Sequence, residues 1–89
     1  MSSPPAPGLY CVFRRREVVI PAGDQLPYVD EDWADALVVV ASGEVDLCCS
    51  RGGSRRFGPG SLLFFVGLGL VALRNPGLGP TVLVAHRRS

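Results

Sequence analysis

The chain has 89 residues, 47% of them hydrophobic, and a formal net charge of +1 from nine basic and eight acidic side chains. That length predicts a single domain with a thin core. The near-neutral balance argues against a nucleic-acid-binding stripe or a polyacidic tail, and no nucleic-acid partner is expected. So many apolar residues in so small a domain predict apolar surface left over, and a second copy of the chain, a homodimer, is expected to cover it.

Taken in chain order, "SSPPAP" is proline-rich and marks residues 1–8 as a flexible N-terminal segment, with the folded domain over 9–89. "LYCVF" (9–13) and "EVVIP" (17–21) are rich in β-branched and aromatic residues and predict two strands, separated by the run Arg14, Arg15 and Arg16. Only "DEDWADAL" suits a helical turn. "DALVVVAS" (35–42) and "EVDLCC" (44–49) predict strands about a turn at Gly43. In the second of these Val45, Leu47 and Cys49 alternate with Glu44, Asp46 and Cys48, which predicts one buried and one wet face. "SRGGSR" (50–55) is a turn on Gly52-Gly53. After the "GPG" corner come "SLLFFV" (61–66), "LVALRN" (70–75) and "PTVLVAHRR" (80–88), joined by glycine-rich turns. Short strands with closely spaced turns predict an all-β barrel or sandwich.

The opening residues lack a basic start and a sustained apolar core, so no signal peptide is expected. The longest apolar run, Leu62 to Leu73, has twelve residues and is too short to cross a bilayer as a helix, so no membrane partner is expected. Cys11, Cys48 and Cys49 are odd in number and lack metal-ligand spacing. They are expected to be small buried thiols in a reducing, cytoplasmic setting.

Four segments carry a family resemblance. "EVVIPAGDQLP", "ALVVVASGEVDL", "FGPGSLLFF" and "ALRNPGLGPTVLVAH" resemble, over residues 17 to 86, the strands and turns of the cupin superfamily. The resemblance implies a small double-stranded β-helix, a jelly-roll barrel. The first cupin motif is Gly, five residues, His, one, His, three or four, Glu, six, Gly. It fits at Gly23 and Gly43, and its ligand positions fall on Val29, Glu31 and Ala36. The second is Gly, five residues, Pro, one, Gly, two, His, three, Asn. It fits at Gly60 and Asn75, with Val66, Leu68 and Val71 at the Pro, Gly and His positions. The resemblance thus keeps scaffold positions and loses the metal ligands. No metal and no cofactor are expected, because one carboxylate does not replace a three-His, one-carboxylate set.

The site residues follow from the resemblance. Val29, Ala36, Val38 and Val71 are expected to line the barrel interior around an inward-pointing Glu31. Trp33, Phe64 and Arg74 complete a ligand-binding set. Two states of the barrel stay open: filled, with Phe64 or Phe65 in the centre, or holding a small apolar pocket. "YVDEDWAD" (28–35) is either a ligand rim or a solvated acidic loop plugged by Trp33. His86 is expected at the surface or in a satisfied core position.

Three functions are compatible with these residues. The first is a metal-free, cupin-like protein that binds a small, mainly apolar ligand or a protein partner. The second is a cupin-like isomerase or cyclase acting on a hydrophobic metabolite, with Glu31 as catalytic acid or base. The third is an anion or nucleotide sensor using Arg74, although the cassette of the related cyclic-nucleotide-binding barrel is absent after "GPGSLLFF".

Overall fold

The computed structural model describes residues 13–88, with side chains from 14 to 87. The segment 1–8, Cys11 and all but the last residue of the strand expected over 9–13 lie outside the described residues. In chain order come β1 Phe13–Ile20, β2 Gln25–Pro27, α1 Asp30–Trp33, β3 Ala36–Ser42, β4 Val45–Cys49, β5 Ser54–Phe57, β6 Leu62–Leu63, β7 Leu70–Arg74 and β8 Thr81–Arg88. The fold is all-β, and among the described residues the one helical turn lies where "DEDWADAL" predicts it.

The strands form two antiparallel four-stranded sheets, in the orders β1-β8-β3-β6 and β2-β7-β4-β5. The first strand pairs with the last, the second with the seventh, the third with the sixth and the fourth with the fifth. The chain is therefore laid out as one long hairpin about the β4–β5 turn. Further pairings of β8 with β3 and β7 with β4 fold that ribbon into two layers. Among the described residues no paired strand belongs to both sheets, so the two layers form a sandwich and not a closed barrel.

Alternation decides what enters the space between the layers. On β3, Ala36, Val38 and Val40 are buried while Leu37 and Val39 are half-buried on the outer face. Val45 and Leu47 from β4, Leu73 from β7 and Leu83 and Ala85 from β8 join them. Trp33 and Phe65 fill one end, edge to face with ring centroids 5.0 Å apart, and Tyr28 packs on Phe65 at 6.1 Å. Large side chains thus occupy the interior, and Phe65, not Phe64, is the phenylalanine among them.

Two corners tie the layers. Gly43, at φ +75°, turns β3 into β4 where a Cβ would lie 2.6 Å from Thr81 Oγ1 and 2.7 Å from the Pro80 carbonyl oxygen, so only glycine fits. Asn75 is buried between β7 and β8. Its Nδ2 donates to the carbonyls of Ile20 (2.8 Å) and Gly79 (2.7 Å), and its Oδ1 accepts from the Gly77 amide at 2.9 Å.

Several expected elements differ. β1 runs unbroken through Arg14–Arg16. β2 forms where no separate strand is expected, and β5 begins within the turn expected over 50–55. The strand expected over 61–66 has only Leu62 and Leu63 paired, against Val39 and Val38. Gly67 and Gly69 at φ +86° and +70° then turn the chain sharply toward β7. Asp46, expected on the wet face, is 3% exposed, because arginines from both neighbouring strands cover it.

Candidate functional site

The expected ligand set is split three ways. Trp33, Ala36 and Val38 are buried core residues. Val29, Phe64 and Val71 are exposed instead of lining an interior. Glu31 is also exposed, in the single turn of α1 beside Asp30 and Asp32, and does not point between the sheets. Its neighbour Trp33 takes the inward position of that turn.

Val71 is exposed for a local reason. Cys48 pairs with Ala72 and Cys49 with Leu70, so Val71 has no partner on β4. This bulge turns Leu70 into the core and leaves Val71 51% exposed. Sequence spacing cannot show a one-residue bulge.

Arg74, expected as an anion contact, is matched within the fold. Its Nη2 donates to Asp46 Oδ2 at 2.8 Å. Arg56 reaches the same carboxylate from the other side, Nε to Oδ1 at 2.8 Å and Nη2 to Oδ2 at 3.3 Å. The three residues are direct cross-strand neighbours on β7, β4 and β5. The hydrogen bonds from Arg56, reinforced by Arg74, hold the Asp46 carboxyl below its ordinary pKa against the opposing effect of burial.

The remaining motif positions do not form a metal centre. Val29, Ala36 and Val71 offer no donor atoms, and the exposed Glu31 is the one carboxylate among them. Among the described residues no group of three His, Cys, Asp or Glu is placed to hold a metal ion. The residues present therefore do not fit the metal site of the family that the sequence resembles. Cys48 and Cys49 are free and half-buried. His86 is half-buried on the outer face of β8, opposite Arg15 and Leu37.

Clefts open at the surface of the described residues, and three of them bear on function. The most apolar, about 350 Å³, is lined by Leu47, Cys49, Gly53, Ser54, Arg55, Phe57, Leu68 and Leu70. Its origin lies in the topology. The short β5–β6 connection puts those two strands at the same edge of the sandwich. β6 is only two residues long, so the inner face of β5 is left uncovered. Phe57 stays half-buried there, with the Arg55 guanidinium 6.0 Å from its ring centroid. The second cleft, about 320 Å³, is lined by Tyr28, Asp30, Gly67, Gly69 and Leu70. The Tyr28 hydroxyl is buried and completes no hydrogen bond among the described residues. Burial, with Asp30 close by but outside hydrogen-bond geometry, pushes its pKa up to about 12. The third, about 320 Å³, is lined largely by arginines at the open end of the first sheet.

No protein-family model matches the chain, and neither does any curated protein or solved structure. Among the described residues no helix is long and apolar enough to cross a membrane.

Proposed function

We propose that this chain is a metal-free, cupin-like jelly-roll domain that binds a small, mainly apolar ligand in the cleft between β5 and the 66–70 segment. Strand order supports the cupin-like part. A long hairpin folded into two four-stranded antiparallel layers, first strand beside last, is the arrangement of eight-stranded jelly rolls. The resemblance segments also fall on matching features: "ALVVVASGEVDL" makes β3, the Gly43 turn and β4, and "ALRNPGLGPTVLVAH" makes the end of β7, the Asn75 corner and most of β8.

The cleft carries the binding reading. It presents the half-buried Phe57 and Cys49 and the exposed Leu68 beside the buried Leu47 and Leu70, so a ligand there contacts the core directly. A thermal-shift panel of small aromatic and branched aliphatic compounds tests it. A binder at a hundredfold excess over Kd adds about 2.7 kcal/mol of stability. Leu68→Arg is expected to abolish that gain while leaving the unliganded Tm near wild type, since Leu68 is exposed. Absence of any binder, or undiminished binding by the variant, overturns the reading.

A second reading, association into a homodimer, rests on the outer face of the first sheet. Leu62 (65% exposed) and Val19 (57%) flank the half-buried Val39 and Val82, and Phe64 (64%) follows on the same side as Leu62. Exposed Arg15 and Glu17, 3.3 Å apart, border this face, so a two-fold axis could exchange their pairing between copies. Light scattering at micromolar concentration is expected to give twice the chain mass, and Leu62→Glu half of that value.

A further inference from the structure

On β1, Ile20 is buried in the core and Val18 packs against it, so the inner-facing positions continue, two residues at a time, to Arg16 and Arg14. On β8 the inner positions Leu83 and Ala85 continue to Arg87. Three arginines therefore occupy inward positions at the open end of the sheet, beyond the apolar inner residues Val18, Ile20, Leu83 and Ala85. They line a cleft of about 320 Å³ floored by the buried Ala36 and Ala85.

Arg14 and Arg87 are direct cross-strand partners. Like charges in that relation destabilise a sheet. Among the described residues neither they nor Arg16 has a carboxylate within ion-pair distance, although Asp32 lines the same cleft. Arg16 is held in place: its Nη2 donates to the Asp32 carbonyl at 2.9 Å, and its guanidinium lies 4.9 Å from the Trp33 ring centroid. Two cations that face each other across neighbouring strands, beside a third that is anchored, over a small apolar floor form a receptor for an anion.

We infer that this cleft binds a small oxyanion, a carboxylate or phosphate group on a compact apolar body, between Arg14, Arg16 and Arg87. The anion offsets the repulsion between Arg14 and Arg87, and Ala36 and Ala85 accept the apolar part. The site shares no lining residue with the apolar cleft beside β5.

Trp33 is the one tryptophan of the chain and is stacked with Arg16, so its fluorescence reports occupancy. Inorganic phosphate and butanoate are titrated separately, each against sodium chloride at matched ionic strength. At least one is expected to change the Trp33 emission saturably and to raise Tm beyond the chloride control. Which one does so distinguishes a phosphate-bearing from a carboxylate-bearing ligand. Arg87→Gln is expected to weaken that response at least tenfold. It should also raise Tm by about 1–4 °C in low-salt buffer, because it removes the repulsion. Arg51→Gln, in the exposed β4–β5 turn, is expected to behave as wild type. Phosphate and butanoate both matching chloride, or Arg87→Gln retaining wild-type affinity, overturns the inference.

Discussion

Asp46 and Arg74 meet across β4 and β7 through a 2.8 Å hydrogen bond, and Asp46 is almost wholly covered while Arg74 is half exposed. The carboxylate is buried by its partners and not by the core. Asp46→Asn keeps the shape but removes the charge that Arg56 and Arg74 share, and about 1–3 kcal/mol of stability at pH 7 is expected to go with it. The folded-state pKa of Asp46 is lowered, so its contribution is fully present above the unfolded value of about 3.9. It is lost as pH falls through the lower folded value. Urea midpoints of the two proteins should differ at pH 7 and draw together as pH falls below the unfolded value of about 3.9.

Gly43→Ala places a methyl group against Thr81 Oγ1 and the Pro80 carbonyl at a positive φ. A loss of more than about 2 kcal/mol is expected. Gly52→Ala also has a positive φ, +91°, but meets nothing within 4 Å, and should cost only about 1 kcal/mol. Parallel chemical denaturation of the two variants checks the order; equal losses would mean that the close approach to β8 contributes nothing.

Asn75→Ala leaves the Ile20 and Gly79 carbonyls without their donor and the Gly77 amide without its acceptor, for an expected loss of about 2–4 kcal/mol. Asn75→Asp is expected to be worse, although it is nearly the same shape. It sets a carboxylate oxygen against two carbonyl oxygens that now receive an amide N–H. The comparison by thermal unfolding at pH 7 separates hydrogen-bond polarity from packing.

Tyr28→Phe removes a buried hydroxyl that completes no hydrogen bond, while keeping the ring on Phe65. Stability is expected to stay level or rise by about 0.5–1 kcal/mol. In the wild type the phenol pKa of about 12 lies above its unfolded value. The neutral form is therefore favoured by folding, and this contribution declines as pH rises from about 10 toward 12. Phenolate absorbance in the variant should lack the late-titrating step.

The all-β class was legible because alternation in "ALVVVAS" and glycine turns are local signals. The split of the expected site was not, because it depends on where strands meet. Arg14–Arg16 reads as a break between strands, yet β8 supplies a partner along its whole length and the arginines continue the inner face. Val71 keeps the right spacing from Gly60 but is displaced by a bulge. The grouping of Asp46, Arg56 and Arg74 requires the registers of three strands at once, and no spacing along the chain encodes it. Trp33 and Glu31 lie two residues apart in one helical turn, and nothing short of packing shows which one enters the core.

The pairing of first strand with last has a consequence for how the protein is made. β1 is made first of the described strands, but its neighbour β8 is made after all the others, and β8 also separates β1 from β3. Until Thr81–Arg88 has been made, the arginine-bearing β1 has no strand to join, and the first sheet lacks one of its two inner strands. The sandwich must therefore form slowly for a domain of this size, since its decisive contacts span almost its full length. A late frameshift or nonsense mutation before Thr81 would remove not a tail but the strand on which half the sandwich is organised.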